Sequence, residues 1–324
     1  VNKLISRILA LALLAGVLSF SGLDFREFLA ELGQPGGPAP SGYTGSNAPV
    51  WDRHPERIRI ASFNIQVFGI SKLAKPQVMD VLARVVRNFD VVAIQEIRAT
   101  DQTVIPQFVE LINSTGAKYD FVLGPRLGRT SSKEQYAFLF DTSRIEVARN
   151  SVYTVSDPRD LLHREPLVAR FRVHGPDPRK AFTFTLVNIH TDPDETDVEL
   201  DALADVFRSV QRDGSGEDDV ILLGDLNVDD RRLGRLGELP GITCAIMGVP
   251  TNTRRTACYD NLVFDRRATV EFTGEYGVLD LMGEYGLTEQ QALEVSDHLP
   301  VWATFHSYEG MSGPLAEASR DSVR

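Results

Sequence analysis

Short apolar runs bounded by glycine, proline, asparagine or aspartate recur through residues 57–307. Runs of about 4–8 such residues between turn formers are the mark of buried strands. They predict strands at 58–64, 91–96, 119–123, 136–140, 145–155, 167–173, 182–189, 220–223, 262–264 and 299–305. Helical periodicity appears between them. Over 76–88, Val78, Leu82, Val85 and Val86 share a face, with Phe89 beyond and Pro76 suited to the first turn. A second helix is predicted near 104–113. A third follows His190: Thr191 or Asp192 can cap it, Pro193 fits its first turn, and Asp194 and Glu195 favour its positive end. Its buried stripe is Leu200, Leu203, Phe207 and Val210. Strands dominate, with helices interspersed, so sheet layers covered by helices are expected. No internal repeat is visible.

Composition narrows this picture at the ends of the chain. With 324 residues, 43% of them hydrophobic, the chain is globular and long enough for one large domain or two modest ones. Lys3 and Arg7 open an uncharged, largely apolar stretch at 8–23, about 16 residues long. A bilayer span needs roughly 20, whereas a signal-peptide core is shorter. Residues 1–32 therefore read as an export signal or membrane anchor plus a short helix at 24–32. This places the protein outside the cytoplasm, in a periplasm or medium, with membrane association through residues 1–23 if the segment is retained. Residues 33–56 read as a Gly/Pro-rich linker, 57–307 as the folded domain and 308–324 as a disordered tail. Export would let Cys244 and Cys258 pair, the alternative being two buried thiols. A net charge of −11 excludes a general basic surface for holding nucleic acid, but not a local patch or a metal that binds phosphate.

The candidate chemistry lies at strand ends. Asn64, Glu96, His190, Asp225 with Asn227, Asp260, and Asp297 with His298 each stand at or beside the end of an apolar run. Such residues often only cap turns, but these form a coherent set. Glu96, Asp225, Asp297 and Asn64 are hard oxygen donors suited to magnesium, manganese or calcium. His190 and His298 suit an acid and a base, each needing an orienting carboxylate. Metal, carboxylates and two histidines suit attack of water on a phosphodiester.

The motifs Ala61-Ser62-Phe63-Asn64-Ile65, Gln95-Glu96-Ile97-Arg98, Gly224-Asp225-Leu226-Asn227, Tyr259-Asp260 and Ser296-Asp297-His298-Leu299-Pro300-Val301 occur in one order. In that order the chain resembles the endonuclease/exonuclease/phosphatase superfamily over 57–305. Leu127-Gly128-Arg129 before Lys133-Glu134-Gln135-Tyr136, then Arg164-Glu165-Pro166 and Val187-Asn188-Ile189-His190-Thr191, make it most similar to the deoxyribonuclease I branch. The resemblance implies a four-layer α/β/β/α sandwich, with two mostly antiparallel sheets packed face to face and flanked by helices. It implies His190, oriented by Glu134, as general acid, and His298, oriented by Asp260, as general base. Glu96 would be the main ligand of a magnesium ion (manganese or calcium as substitutes), with Asn64, Asp225 and Asp297 in or around its shell. Asn227 and Arg164 would hold the scissile phosphate and Arg98 would reach the DNA minor groove. The implied activity is DNA cleavage to 5′-phosphate and 3′-hydroxyl ends by a monomer, with no protein partner implied. Hydrolysis of a lipid headgroup or other small phosphoester is the alternative, and a non-catalytic binding role a lesser one.

The chain departs from the branch in places. Ser132 stands where a tyrosine packs on the sugar backbone, 155–163 lacks a Cys-x-x-Cys loop, and Cys244 does not match the usual bridge. A threonine-rich calcium-binding stretch is replaced by Pro250-Thr251-Asn252-Thr253-Arg254-Arg255. Arg254 and Arg255 read as a solvated pair, with a DNA contact as the alternative.

Overall fold

The continuous apolar runs become strands buried on both faces, the pattern of sheets sandwiched between other layers. In a computed structural model describing residues 51–311 apart from 131, 176 and 178, they assemble into two six-stranded sheets. The export segment, the 24–32 helix, the linker to residue 50 and the tail from 312 lie outside the described residues. The first sheet contains β1 (Arg57–Phe68), β2 (Val91–Ile97), β3 (Tyr119–Leu123), β4 (Gln135–Asp141), β11 (Phe272–Val278) and β12 (Val301–His306), ordered β11-β12-β1-β2-β4-β3. The second contains β5 (Ile145–Thr154), β6 (Leu167–Val173), β7 (Thr183–His190), β8 (Val220–Asp225), β9 (Ile242–Cys244) and β10 (Asp260–Asp265), ordered β5-β6-β7-β8-β10-β9. Each sheet has one parallel pair, β1–β2 and β7–β8. The other pairings are antiparallel.

Side-chain alternation along each strand separates three cores. In β1, Ile58 and Ile60 face the opposing sheet, while Ala61 and Phe63 face helices. The central core is rich in phenylalanine: Phe171 and Phe184 stack at 5.6 Å, and Phe182 lies 6.0 Å from Phe305 across the sheets. Outside the first sheet pack α1 (Ile70–Leu73), α2 (Pro76–Val86), α3 (Val104–Asn113), α6 (Leu281–Tyr285) and α7 (Glu289–Val295). Outside the second pack α4 (Thr196–Gln211) and α5 (Gly234–Gly237). The four-layer sandwich expected from the resemblance is therefore present. Among the described residues no helix is long and apolar enough to cross a membrane.

Several local expectations are corrected. Helix α4 starts at Thr196, not at residues 192–193, because the Glu199 carboxylate accepts the N–H groups of Asp192 and His163 and holds 193–195 as a turn. The folded unit extends past both expected bounds. Trp51, placed in the linker by the sequence, packs 5.9 Å from Phe89 and 5.3 Å from Trp302. Tyr308, placed in the tail, bridges to Ala181. Both cysteines are free thiols, and burial pushes the Cys244 thiol up to about 12.

Candidate active site

Strand register does most of the assembly. In the second sheet His190 on β7 pairs with Asp225 on β8, and Asp225 pairs with Asp260 on β10, so three polar residues stand in one row. Gly224 permits this row: its φ is +151°, and a Cβ there would lie 1.9 Å from the Ile189 carbonyl oxygen. In the first sheet Asn64 pairs with Gln95, which carries Glu96 to the same edge. Glu96 and Asn227 adopt positive φ (59° and 52°), turning each chain sharply where its strand ends.

Two histidine–carboxylate pairs result, and each joins the two sheets. His190 Nδ1, in the second sheet, lies 2.7 Å from Glu134 Oε1, just before β4 of the first. His298 Nδ1, just before β12 of the first, lies 2.9 Å from Asp260 Oδ2 in the second. The two Nε2 atoms converge on one oxygen, Asp225 Oδ2, at 3.5 and 3.4 Å. Electrostatics follows the geometry. Burial works against charge on His190, but Glu134 and then Asp225 outweigh it and raise its pKa. His298 is likewise buried, yet Asp260 and Asp225 hold it well above its usual range. Burial acts to raise Asp225, but His298, His190, the Asn64 amide and the Asn227 N–H keep it below the usual carboxylate range. Burial raises Asp260, and His298 only partly offsets it.

Of the expected ligands, Asp225 stands with Asp260 and His298, their ligand atoms within 4.8 Å of one another, and Glu96 and Asp297 are not in that group. Asn64 Nδ2 donates to Glu96 Oε1 at 3.2 Å and to Asp225 Oδ2 at 3.0 Å, while its Oδ1 accepts the Gln66 N–H. Its amide thus orients carboxylates and does not present its oxygen to them. Glu96 Oε2 accepts the Val67 N–H at 2.9 Å and pairs with Arg98 at 3.0 Å. Against burial, His190 and Arg98 hold Glu96 low. Asp297 Oδ1 is buried with no hydrogen-bond partner.

The three expected phosphate and DNA contacts have additional partners. Arg164 is buried, with Nε 3.0 Å from Glu134 Oε1 and Nη1 donating to the His190 carbonyl at 2.9 Å. It touches both members of the His190–Glu134 pair. Arg98 reaches Glu134 Oε2 at 3.8 Å as well as Glu96. Asn227 donates one amide N–H to the Thr191 carbonyl at 2.8 Å and keeps the other. Arg255 pairs with Asp280.

Three supporting residues escaped the sequence reading. Thr251 Oγ1 donates to Asp260 Oδ2 at 2.8 Å, and Ser296 Oγ accepts the His298 N–H at 3.0 Å. Lys72 Nζ donates to the carbonyls of Ile65, Gln66 and Val295 at 2.6, 2.6 and 2.7 Å. Burial pushes Lys72 down to about 8 despite the charges of Asp297 and Glu96. It pins the left-handed turn at Gln66 and Val67 that serves Glu96. Thr251 and Ser296 lie in loops and Lys72 in a one-turn helix, so none of them carries a periodic signal. Only the nearness of Ser296 to Asp297 and His298 in sequence was a hint.

A two-sheet sandwich whose edge presents two carboxylate-backed histidines beside clustered oxygen donors is the architecture of a hydrolytic enzyme. Residues 61–298 match the Endonuclease/Exonuclease/phosphatase family, and the chain belongs to that family. It is 36% identical to Deoxyribonuclease-1-like 1 of Sus scrofa, over 76% of this chain and 80% of that protein. It is 31% identical to Deoxyribonuclease gamma of Rattus norvegicus (75% and 83% covered). It is 30% identical to Deoxyribonuclease-1 of Bos taurus (76% and 92% covered). The fold is shared with truncated Caenorhabditis elegans TDP2, at TM-score 0.53 and 16% identity, covering 77% of this chain and 98% of that one. It is also shared with the human Nocturnin catalytic domain, at TM-score 0.52 and 15% identity, covering 78% and 94%.

Proposed function

We propose that this protein is a divalent-metal-dependent DNA endonuclease that works outside the cytoplasm and leaves 5′-phosphate and 3′-hydroxyl ends. The observation that carries the reading is the convergence of two carboxylate-backed histidines on one point, 3.5 and 3.4 Å from Asp225 Oδ2. Two imidazoles aimed at one place suit a displacement in which one proton leaves and another arrives. His298, held by Asp260, takes a proton from water as the water oxygen bonds to phosphorus. The bond from phosphorus to the 3′ oxygen breaks, and His190, held by Glu134, protonates the departing oxygen. The raised pKa of His190 suits a donor at neutral pH. His298 must first be neutral, and Asp225 and Asp297 are among the charges that hold its proton on. Neutralising those two carboxylates therefore readies the base.

A hard divalent cation fits the residues present, since the donors are oxygens and Asp297 Oδ1 is buried without a partner. Glu96, Asp225 and Asp297 would hold it, with Asn64 orienting two of them. Magnesium is the expected ion, with manganese or calcium as substitutes. When bound, it supplies charge neutralisation at the phosphate oxygens. On this reading Asn227, through its remaining amide N–H, and Arg98, partly exposed, would meet substrate. Arg164 acts chiefly by positioning His190. The names of the deoxyribonuclease relatives support DNA as substrate. The basic start and apolar stretch at residues 1–23 support export.

Nicking of supercoiled plasmid by the full chain tests the reading. Magnesium should support nicking, chelation should abolish it, and His298→Ala should slow it by about 10²–10⁴-fold. Equal nicking by the variant would sink the mechanism. Turnover of sphingomyelin or inositol phosphates without nicking would move the substrate to a lipid headgroup or small phosphoester.

A further inference from the structure

A second group of carboxylates lies at the far end of the strand that delivers Asp225. Asp219 stands just before β8, about 20 Å from the active-site end at roughly 3.3 Å per residue. Around it come Glu217, Glu271 just before β11, and Glu309 just beyond β12. Ligand oxygens of Asp219, Glu271 and Glu309 lie within 4.8 Å of one another, as do those of Glu217, Asp218 and Asp219. The group thus joins the first sheet, the second sheet and the C-terminal end of the described fold.

Two of these side chains are buried and underused. Asp219 is 4% exposed and Glu271 1%. Asp219 Oδ1 and Glu271 Oε2 have no hydrogen-bond partner. Other oxygens in the group are pinned by the protein. Glu271 Oε1 accepts the Gly310 N–H at 2.6 Å, and Glu217 Oε1 accepts the Asp219 N–H at 3.0 Å. Glu309 Oε1 accepts from the Thr183 N–H at 2.8 Å and its hydroxyl at 3.1 Å. Among the described residues no arginine or lysine forms an ion pair with Glu217, Asp219, Glu271 or Glu309. Arg170, whose charge reaches Glu217, pairs with Asp213 at 3.9 Å. Burial and then the charge of Glu271 push the Asp219 carboxyl up to about 9. Buried carboxylates persist when paired or when they coordinate a metal.

We propose that Asp219, Glu271 and Glu309, with Glu217 beside them, form a second divalent-cation site that clamps the two sheets and the C-terminal segment together. Calcium is the ion these residues fit. The donors are all oxygen, come from separate segments and are partly open to water, and calcium accepts 6–8 oxygens in flexible geometry where magnesium demands a near-ideal octahedron. None of the four residues contacts either histidine pair, so the site stands apart from the hydrolytic reading.

Thermal unfolding of the chelator-treated full chain, with and without calcium chloride, tests the proposal beside the double variant Glu271→Gln/Glu309→Gln. Calcium at about 100 times its Kd should raise the wild-type Tm by roughly 5–10 °C. The variant should lose most of that rise while melting no lower than wild type without metal, because it removes repelling charges. Any calcium bound by the active-site carboxylates contributes equally to both chains and cancels. An equal rise in both chains, or no rise in wild type, overturns the proposal.

Discussion

One added methyl group at position 224 would act on the site from inside the core. The Cβ of an alanine there would meet the Ile189 carbonyl at 1.9 Å, between the strands that carry His190 and Asp225. Gly224→Ala should therefore destabilise the protein by about 2–4 kcal/mol, read as a lower urea midpoint. His298 makes a prediction of opposite character. Its pKa is raised on folding, so its contribution to stability is complete below its usual 6.5 and is lost as pH rises through the folded value. In metal-free protein, the Tm advantage of wild type over His298→Gln should be largest below the usual histidine range and shrink as the pH is raised well above it. A constant gap would count against it. At this scale the strand-end residues were legible because apolar runs terminate in them. Lys72 and Thr251 were not, because what matters about each is a partner distant in the chain, Val295 for one and Asp260 for the other.

At the scale of elements, the edge strands β3 and β5 are legible in the sequence, whereas the edge strands β9, three residues long, and β11 are not. β11 was missed because its residues 274–276 are exposed and a register shift interrupts its pairing with β12. Helix α7 carries a full capping box, Thr288 with Gln291, a signal that was present in the sequence and went unread. The segment before β1 is the more consequential case. It carries no apolar periodicity, yet Trp51 packs on Phe89 and Trp302, and Arg53 reaches Asp90, Asp141 and the Phe89 carbonyl. A chain beginning at residue 57 should unfold about 2–4 kcal/mol more easily than one beginning at 51, by urea denaturation. Equal stability would return these residues to the linker.

The whole molecule holds a repetition that the sequence hides. The strand orders β1-β2-β4-β3 and β7-β8-β10-β9 follow the same path, each with one parallel pair joined through helix. Topology is set by where apolar runs and turns fall, not by which apolar residue fills each place, so the two halves keep a common plan without recognisable identity. The acidic group around Asp219 was equally hidden, since its members come from segments brought together only when the sheets pack. Packing has a further consequence at the other end of the sandwich. Each histidine sits on one sheet and its carboxylate on the other, in opposite senses. Slippage of the sheets by even one residue would part both couples together, so neither half of the molecule owns a working acid or base. Chemical competence here is a property of the seam, and it arrives in a single step when the seam closes.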